Sequence, residues 1–334
     1  MAEQNGLSTV ETVELPKEKR KYNVKYIVNK FGALFGLLIL TIVLSILSPS
    51  FLKVDNLMNI ARQSSINALL SIGMLLPILT AGIDLSVGSI LAISIVMTGV
   101  VSVTWGFSPI IGIIVCLAVG ALAGLLNGLL LTKLRLPHPF ISTLGTMNVF
   151  RGLALIITGA SPIFGFAYLI NFTGSESVGV IPVSFILVLI ICVIFHVFLT
   201  RSSTGRYIYA IGGNKEAARL SGIPVDKVLI KVYTISGLMA GLAGLVLIGR
   251  TNAASPIAGL TYELDAIAAV IIGGASFFGG VGTVWGTLIG AMIIAVLRNG
   301  LNLLGTSTDV QTVVIGVVII LAVYVDVLRR RSKN

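Results

Sequence analysis

Asp84 is the residue whose chemistry most needs a reason. It stands in Ala81-Gly82-Ile83-Asp84-Leu85-Ser86-Val87-Gly88, and the chain from Leu85 to Thr132 then carries no charge at all. An ionisable group near bilayer depth costs a few kcal/mol on insertion scales, so it is a functional candidate by default. Its carboxylate can accept hydrogen bonds from the hydroxyls of a polar solute or stabilise a broken helix. It can equally cap the helix that begins at Ser86 and Gly88. Phe140, Thr143, Thr146 and Phe150 fall on one helical face. Rings and hydroxyls together suit a solute with apolar CH faces and polar edges, and they equally suit helix packing. Arg151 follows and can pair with an acid in a neighbouring span. His138, between Pro137 and Pro139, and His196, in an apolar segment, read as structural groups or as a proton relay.

A second group lies in the polar loop Arg201–Lys231. Asn214 can cap a short helix whose first turn holds Glu216, a favourable place for an acid. Lys215, Ala217, Ala218 and Arg219 continue that helix, and Gly222 and Pro224 end it. One or two turns with small side chains, held between two spans, suit a groove on a soluble partner or serve as an amphipathic connector. Enzyme constellations are missing. Gly212-Gly213-Asn214-Lys215 lacks the Walker A glycine spacing and the Ser/Thr after Lys. No zinc-protease pattern, nucleophile elbow or Cys/His cluster occurs, so no catalytic or metal-ligating residue is expected. Cys116 and Cys192 both sit in apolar stretches, where Cys acts as a small hydrophobe.

The elements that hold these residues follow from composition. Only 11% of the 334 residues are charged, against roughly 25% in soluble proteins, and 56% are hydrophobic. Charge-free runs recur at 152–175, 177–200 and 266–297, comparable with the roughly 20 residues that cross a bilayer. Disorder, a disulfide scaffold and a soluble enzyme are excluded together. Hydropathy places spans near 31–48, 64–81, 86–104, 109–131, 139–158, 182–200, 229–249, 263–277, 283–298 and 310–328. The fold class is an all-α polytopic membrane protein of eight to ten spans, with ten adopted. Segments 77–88 and 263–282 could be full spans or re-entrant elements. Residues 1–30 form a basic tail, 31–328 the membrane domain and 329–334 a second basic tail. The run from Phe31 lacks a cleavage site and reads as a retained first span.

Ten spans put both termini on one side, and the basic residues agree. Eighteen of the 23 Lys and Arg fall on that side, six of them in the 201–231 loop, and loop 159–181 has none. That side is therefore cytoplasmic. The net charge of +10 marks membrane orientation, with no nucleic-acid patch. Gly120, Gly124 and Gly128 repeat at four-residue spacing, as do Gly282, Gly286 and Gly290, while Gly237 pairs with Gly241. Bare backbone on one face lets helices approach closely, within one bundle or between subunits.

Glu216-Ala217-Ala218, three residues, then Gly222 resembles the EAA motif of ABC-importer permeases. Gly82-Ile83-Asp84-Leu85-Ser86-Val87-Gly88, Phe140-Ile141-Ser142-Thr143-Leu144-Gly145 with Arg151-Gly152, and the glycine-rich run Gly273–Thr283 resemble the ribose-type monosaccharide permeases. The likeness covers about residues 30–328. The longer EAA consensus continues to a Leu-Pro, which Val232-Tyr233-Thr234-Ile235 lacks, so the loop differs from the maltose-permease form.

The resemblance implies a permease subunit in a bacterial cytoplasmic membrane, with a fold like the cobalamin-importer permeases. It implies a separate ATPase that binds ATP and Mg and meets residues 214–219 and 222. It further implies a second permease copy or a homologous permease, and an extracytoplasmic binding protein that delivers a pentose or hexose. This chain would carry no cofactor of its own. The alternatives are an ion-coupled secondary transporter, whose usual set of buried acids this chain lacks outside Asp84, and an ABC permease for another solute such as a nucleoside.

Overall fold

A computed structural model describes residues 24–136 and 138–331. Both basic tails lie largely outside these residues. Thirteen α-helices follow one another: α1 (Val24–Leu47), α2 (Val54–Leu79), α3 (Val87–Gly99), α4 (Pro109–Lys133), α5 (Pro139–Thr158), α6 (Tyr168–Ser175) and α7 (Val183–Arg201). Then come α8 (Ser203–Gly213), α9 (Lys215–Leu220), α10 (Val225–Thr251), α11 (Tyr262–Ile272), α12 (Val284–Leu303) and α13 (Thr308–Arg331). A π-helical turn, Val100–Thr104, extends α3. Four two-residue strands are confined to loops: β1 (Ile163–Phe164) pairs with β4 (Ala253–Ala254), and β2 (Ser177–Val178) with β3 (Ile181–Pro182).

Seven of these helices are long and apolar enough to cross a membrane: α3 with its extension, α4, α5, α7, α10, α12 and α13. The other three expected spans differ in instructive ways. α1 begins at Val24, before the expected 31, and its apolar part is Gly32–Leu47. α2 begins at Val54, ten residues before the expected start, and is too polar to qualify by hydropathy. It carries Arg62, Ser64, Ser65, Asn67 and Ser71, yet almost everything from Ser64 to Leu79 is buried. Its hydroxyls return to their own helix, Ser65 Oγ to the Ala61 carbonyl and Ser71 Oγ to Asn67 O. α2 packs on α7, α10, α11 and α12, so protein is its solvent and hydropathy underrates it. The segment expected at 263–277 is helical only over 262–272, roughly 16 Å. That is half a bilayer core.

The glycine repeats do their packing inside this chain. The α4–α10 pair is the most extensive, with Gly120 and Gly124 facing Gly237 and Gly241, and Gly128 against Ile230. A Cβ on Gly124 would collide with the Tyr233 carbonyl, and one on Gly237 with the Gly120 carbonyl. Gly286 and Gly290 meet Gly273 and Ala269 of the α11 segment, and Gly282 meets Ala275 and Leu75. Dispersion across bare backbone replaces the hydrophobic drive that lipid cannot supply.

Candidate functional site

Two breaks in the helical run touch each other. The first lies between α2 and α3. Pro77 interrupts the last turn of α2, Ala81 takes a left-handed φ of 58°, and Gly82 N–H returns to the Pro77 carbonyl at 2.8 Å. Asp84 follows, fully buried. Its Oδ1 accepts from the Ser86 N–H at 3.1 Å and from the Ser86 hydroxyl, and Ser236 Oγ of α10 donates to its Oδ2 at 2.9 Å. Asn127 of α4 donates to Ser86 Oγ at 2.7 Å, and Thr146 of α5 donates to Asn127 Oδ1 at 2.7 Å. The carboxylate thus closes a turn onto Ser86 just ahead of α3, and it also ties that start to three long helices. A network this fully satisfied rigidifies the break.

The second break is the segment 252–261, which runs from the end of α10 to the short α11. Asn252 and Thr261 bound it with left-handed φ values of 51° and 67°. Arg151 of α5 holds it, donating from Nη1 to the carbonyls of Pro256 at 2.7 Å and Ala258 at 2.6 Å. Arg151 therefore satisfies open backbone where an acid in a span was expected, and it feels the Glu263 charge only at longer range. Gly259 then packs on Gly88, the first turn of α3, so closely that a Cβ on Gly259 would lie 2.6 Å from the Gly88 carbonyl. This contact joins the two breaks. α11 carries Glu263, half-buried beside Gly88, and Asp265, which Arg298 of α12 grips through Nε and Nη2 at 2.8–3.0 Å.

The groups around both breaks lie well inside their helices. At 1.5 Å per residue, Ser236 lies about 16 Å into α10, Arg151 about 18 Å into α5 and Arg298 about 21 Å into α12, all from ends on the α8–α9 side. Each position is more than one turn from either helix end, in elements long enough to span a hydrocarbon core of about 30 Å. Irregular backbone is tolerated there only where protein or water covers it.

The α8–α9 loop closes that side. Ser202 Oγ caps α8 by accepting from Gly205 N–H, and Asn214 Oδ1 caps α9 by accepting from Ala217 N–H, each at 2.9 Å. Gly222 ends α9 at φ 80°. Lys215, Glu216, Ala217 and Arg219 are exposed, whereas Ala218 is buried against the chain itself. Leu220 is 88% exposed, an apolar contact left open on a polar loop. Gly212 abuts Leu79 at the end of α2 and Gly280 after α11, and Gly280 N–H donates to the Leu79 carbonyl at 3.0 Å. Between this loop, the first break and Tyr233 lies a cavity of about 910 Å³, rimmed by Arg135, Lys215, Arg219 and Lys227.

Of the residues singled out from sequence, Thr143, Thr146 and Phe150 are buried together with Asp84, while Phe140 is 45% exposed. Asn127, Ser236, Glu263, Asp265, Arg298 and Leu220 went unmarked. Asn127 carried a legible signal, being a polar residue in a charge-free stretch. Among the described residues, no group of His, Cys, Asp or Glu could hold a metal ion.

Comparison with known proteins places the sequence among permeases. The chain is 46% identical over 325 residues to the ribose import permease protein of Bacillus subtilis, across 97% of this chain and all of that one. It is 43% identical to the D-allose transport system permease protein of Escherichia coli, across 92% of this chain and 95% of that one. It is 39% identical to the fructose import permease protein of Rhizobium meliloti, across 84% and 80%. No solved structure matches. The family described as branched-chain amino acid transport system / permease component matches residues 56–323. The resemblance to ribose-type permeases is borne out, and the chain belongs to this permease family.

Proposed function

We propose that this chain is the membrane-spanning subunit of an ATP-driven importer of a monosaccharide, a ribose-like pentose or a hexose, in the bacterial cytoplasmic membrane. The observation that carries the mechanism is the position of Gly212. It touches the end of α2, which leads into the first break, and the loop after α11, which follows the second. A push on α8–α9 therefore reaches both broken crossings through backbone contacts. A separate ATPase, holding ATP and Mg, docks on Asn214–Arg219, Leu220 and Gly222. Nucleotide acts only if it binds one arrangement of the breaks better than the other. Discontinuous helices at mid-depth are where transported solutes bind in membrane proteins, because there backbone polar groups face a water-filled path.

In this reading α1, α2 and α11 complete ten crossings, with both termini on the α8–α9 side, in an arrangement like the cobalamin-importer permeases. Asp84, Thr143, Thr146 and Phe150 support the broken wall from behind. Phe140 lies at the coupling-side end of α5, and Arg151 clamps the wall itself. A second copy or a homologous permease closes the path, and an extracytoplasmic binding protein delivers the sugar to the opposite side. The names of the relatives support a sugar over the amino acid in the family's description.

The test is uptake in proteoliposomes that hold the chain, its ATPase and its binding protein. Nucleotide-dependent, vanadate-sensitive sugar uptake is expected. Uptake that persists without any ATPase and collapses with a protonophore would overturn the reading.

A further inference from the structure

The glycine-rich run Gly273–Thr283 joins α11 to α12. Ser276 N–H donates to the Val281 carbonyl at 2.9 Å and folds the run into a turn with two stems. Gly279 and Gly280, at its tip, take left-handed φ values of 86° and 73°. Backbone of that freedom yields under load, so a displacement crosses it only where other elements grip it. Two side chains from outside the run do so, one on each stem. Tyr209 of α8, half-buried, donates from its hydroxyl to the Gly282 carbonyl at 2.9 Å. Asp326, near the end of α13, accepts at Oδ2 from the Phe277 N–H at 3.2 Å and from Ser276 Oγ at 3.3 Å. Gly282 directly precedes Thr283, whose Oγ1 caps α12 by accepting from Gly286 N–H at 3.1 Å. α12 in turn holds α11 through the Arg298–Asp265 pair.

We propose that Tyr209 and Asp326 are positioning residues that make this run the joint between the coupling segment and α12. This rests on an ATPase driving α8–α9. The contact of Gly212 with Leu79 and Gly280 is steric, and a steric contact transmits a push but not a pull. A hydrogen bond is directional and resists separation, so the Tyr209 hydroxyl carries the start of α12 with α8 in either sense. Asp326 anchors the opposite stem to α13, so the run pivots where it would otherwise yield. Movement of α12 then reaches α11 through the Arg298 fork. One hydroxyl and one carboxylate, both outside α9 itself, thus set how much of the ATPase stroke arrives at the second break.

The test uses the assembled complex with ATPase and binding protein in proteoliposomes, with D-ribose as probe. Y209F deletes one donor, and D326A deletes the acceptor of two bonds. Each should lower ribose taken up per ATP hydrolysed by about threefold to tenfold, the factor that corresponds to one hydrogen bond. The yield of complex and its rate of ATP hydrolysis should stay near wild type. Tyr207, half-buried on the same helix, is the control, and Y207F should match wild type throughout. Wild-type uptake per ATP in Y209F, or uptake and hydrolysis falling in parallel with the yield of complex, overturns the proposal. A second measurement does not depend on transport: amide hydrogen exchange of the complex with and without ATP and vanadate. In wild type, nucleotide should change exchange in both 214–222 and 276–283. In Y209F the change at 214–222 should persist while that at 276–283 is lost. A full response at 276–283 in Y209F sinks the joint and leaves the coupling segment standing. No response at 214–222 in wild type sinks the coupling segment as well.

Discussion

Asp265 and Arg298 form a bidentate ion pair that binds the half-length helix α11 to α12, with Nε and Nη2 each within 3.0 Å of the carboxylate. The Asp265 side chain is 8% exposed and that of Arg298 22%. α11 has too few residues to hold itself in a membrane by hydropathy, and the planar guanidinium supplies the geometry that length does not.

Removing one partner leaves a buried charge without compensation, which typically costs about 3–5 kcal/mol. R298A and D265N should each lower the thermal unfolding temperature of the detergent-solubilised protein by several degrees. R298K keeps the charge and loses the fork, so it should rescue only in part. Wild-type stability in R298A would show that α11 is held by packing alone.

Asp84 is tied to both α3 and α10, and the two ties can be separated. S236A removes the bond from α10 and leaves the Ser86 bonds in place. If the network supports the broken crossing, S236A and D84N should both slow uptake, with about 1–3 kcal/mol lost for each buried acceptor or donor left unmatched. Unchanged uptake kinetics in both variants would reduce Asp84 to the closure of a local turn.

The coupling loop makes a different prediction, in which the protein stays intact. E216K, L220D and G222P should leave the chain in the membrane but abolish ATP-driven uptake and weaken retention of the ATPase during purification. G222P forces a φ near −65° on a residue that sits at 80°. Normal ATP-driven uptake in all three would remove α9 from the coupling role.

Close helix approach can be tested with a matched control. G124A and G237A place a methyl into backbone of the facing helix, and overpacking of this kind costs about 1–3 kcal/mol. G316A, on α13, meets nothing within 4 Å and should be neutral or slightly stabilising through helix propensity. Equal melting temperatures for G124A and G316A would contradict the tight α4–α10 contact.

By itself the sequence determined the solvent of this protein, the gathering of its basic residues at segment ends and the short capped helix at Asn214. All of these are local properties: hydropathy over twenty residues, charge at segment ends, a cap and its first turn. It left 77–88 and 263–282 open between full spans and re-entrant elements and did not mark the irregular stretch 252–261. What only the tertiary structure decided is who meets whom at depth. Ser236 reaches Asp84 across 152 positions and Arg298 reaches Asp265 across 33, and no periodicity in the chain encodes such pairings. The same holds for α2, whose polar residues lower its hydropathy while four neighbouring helices hide it from lipid. It holds most of all for Arg151. Its charge suggested an acid as partner, yet its hydrogen bonds go to two backbone carbonyls, because the turns between α10 and α11 leave acceptors that a helix would have satisfied itself.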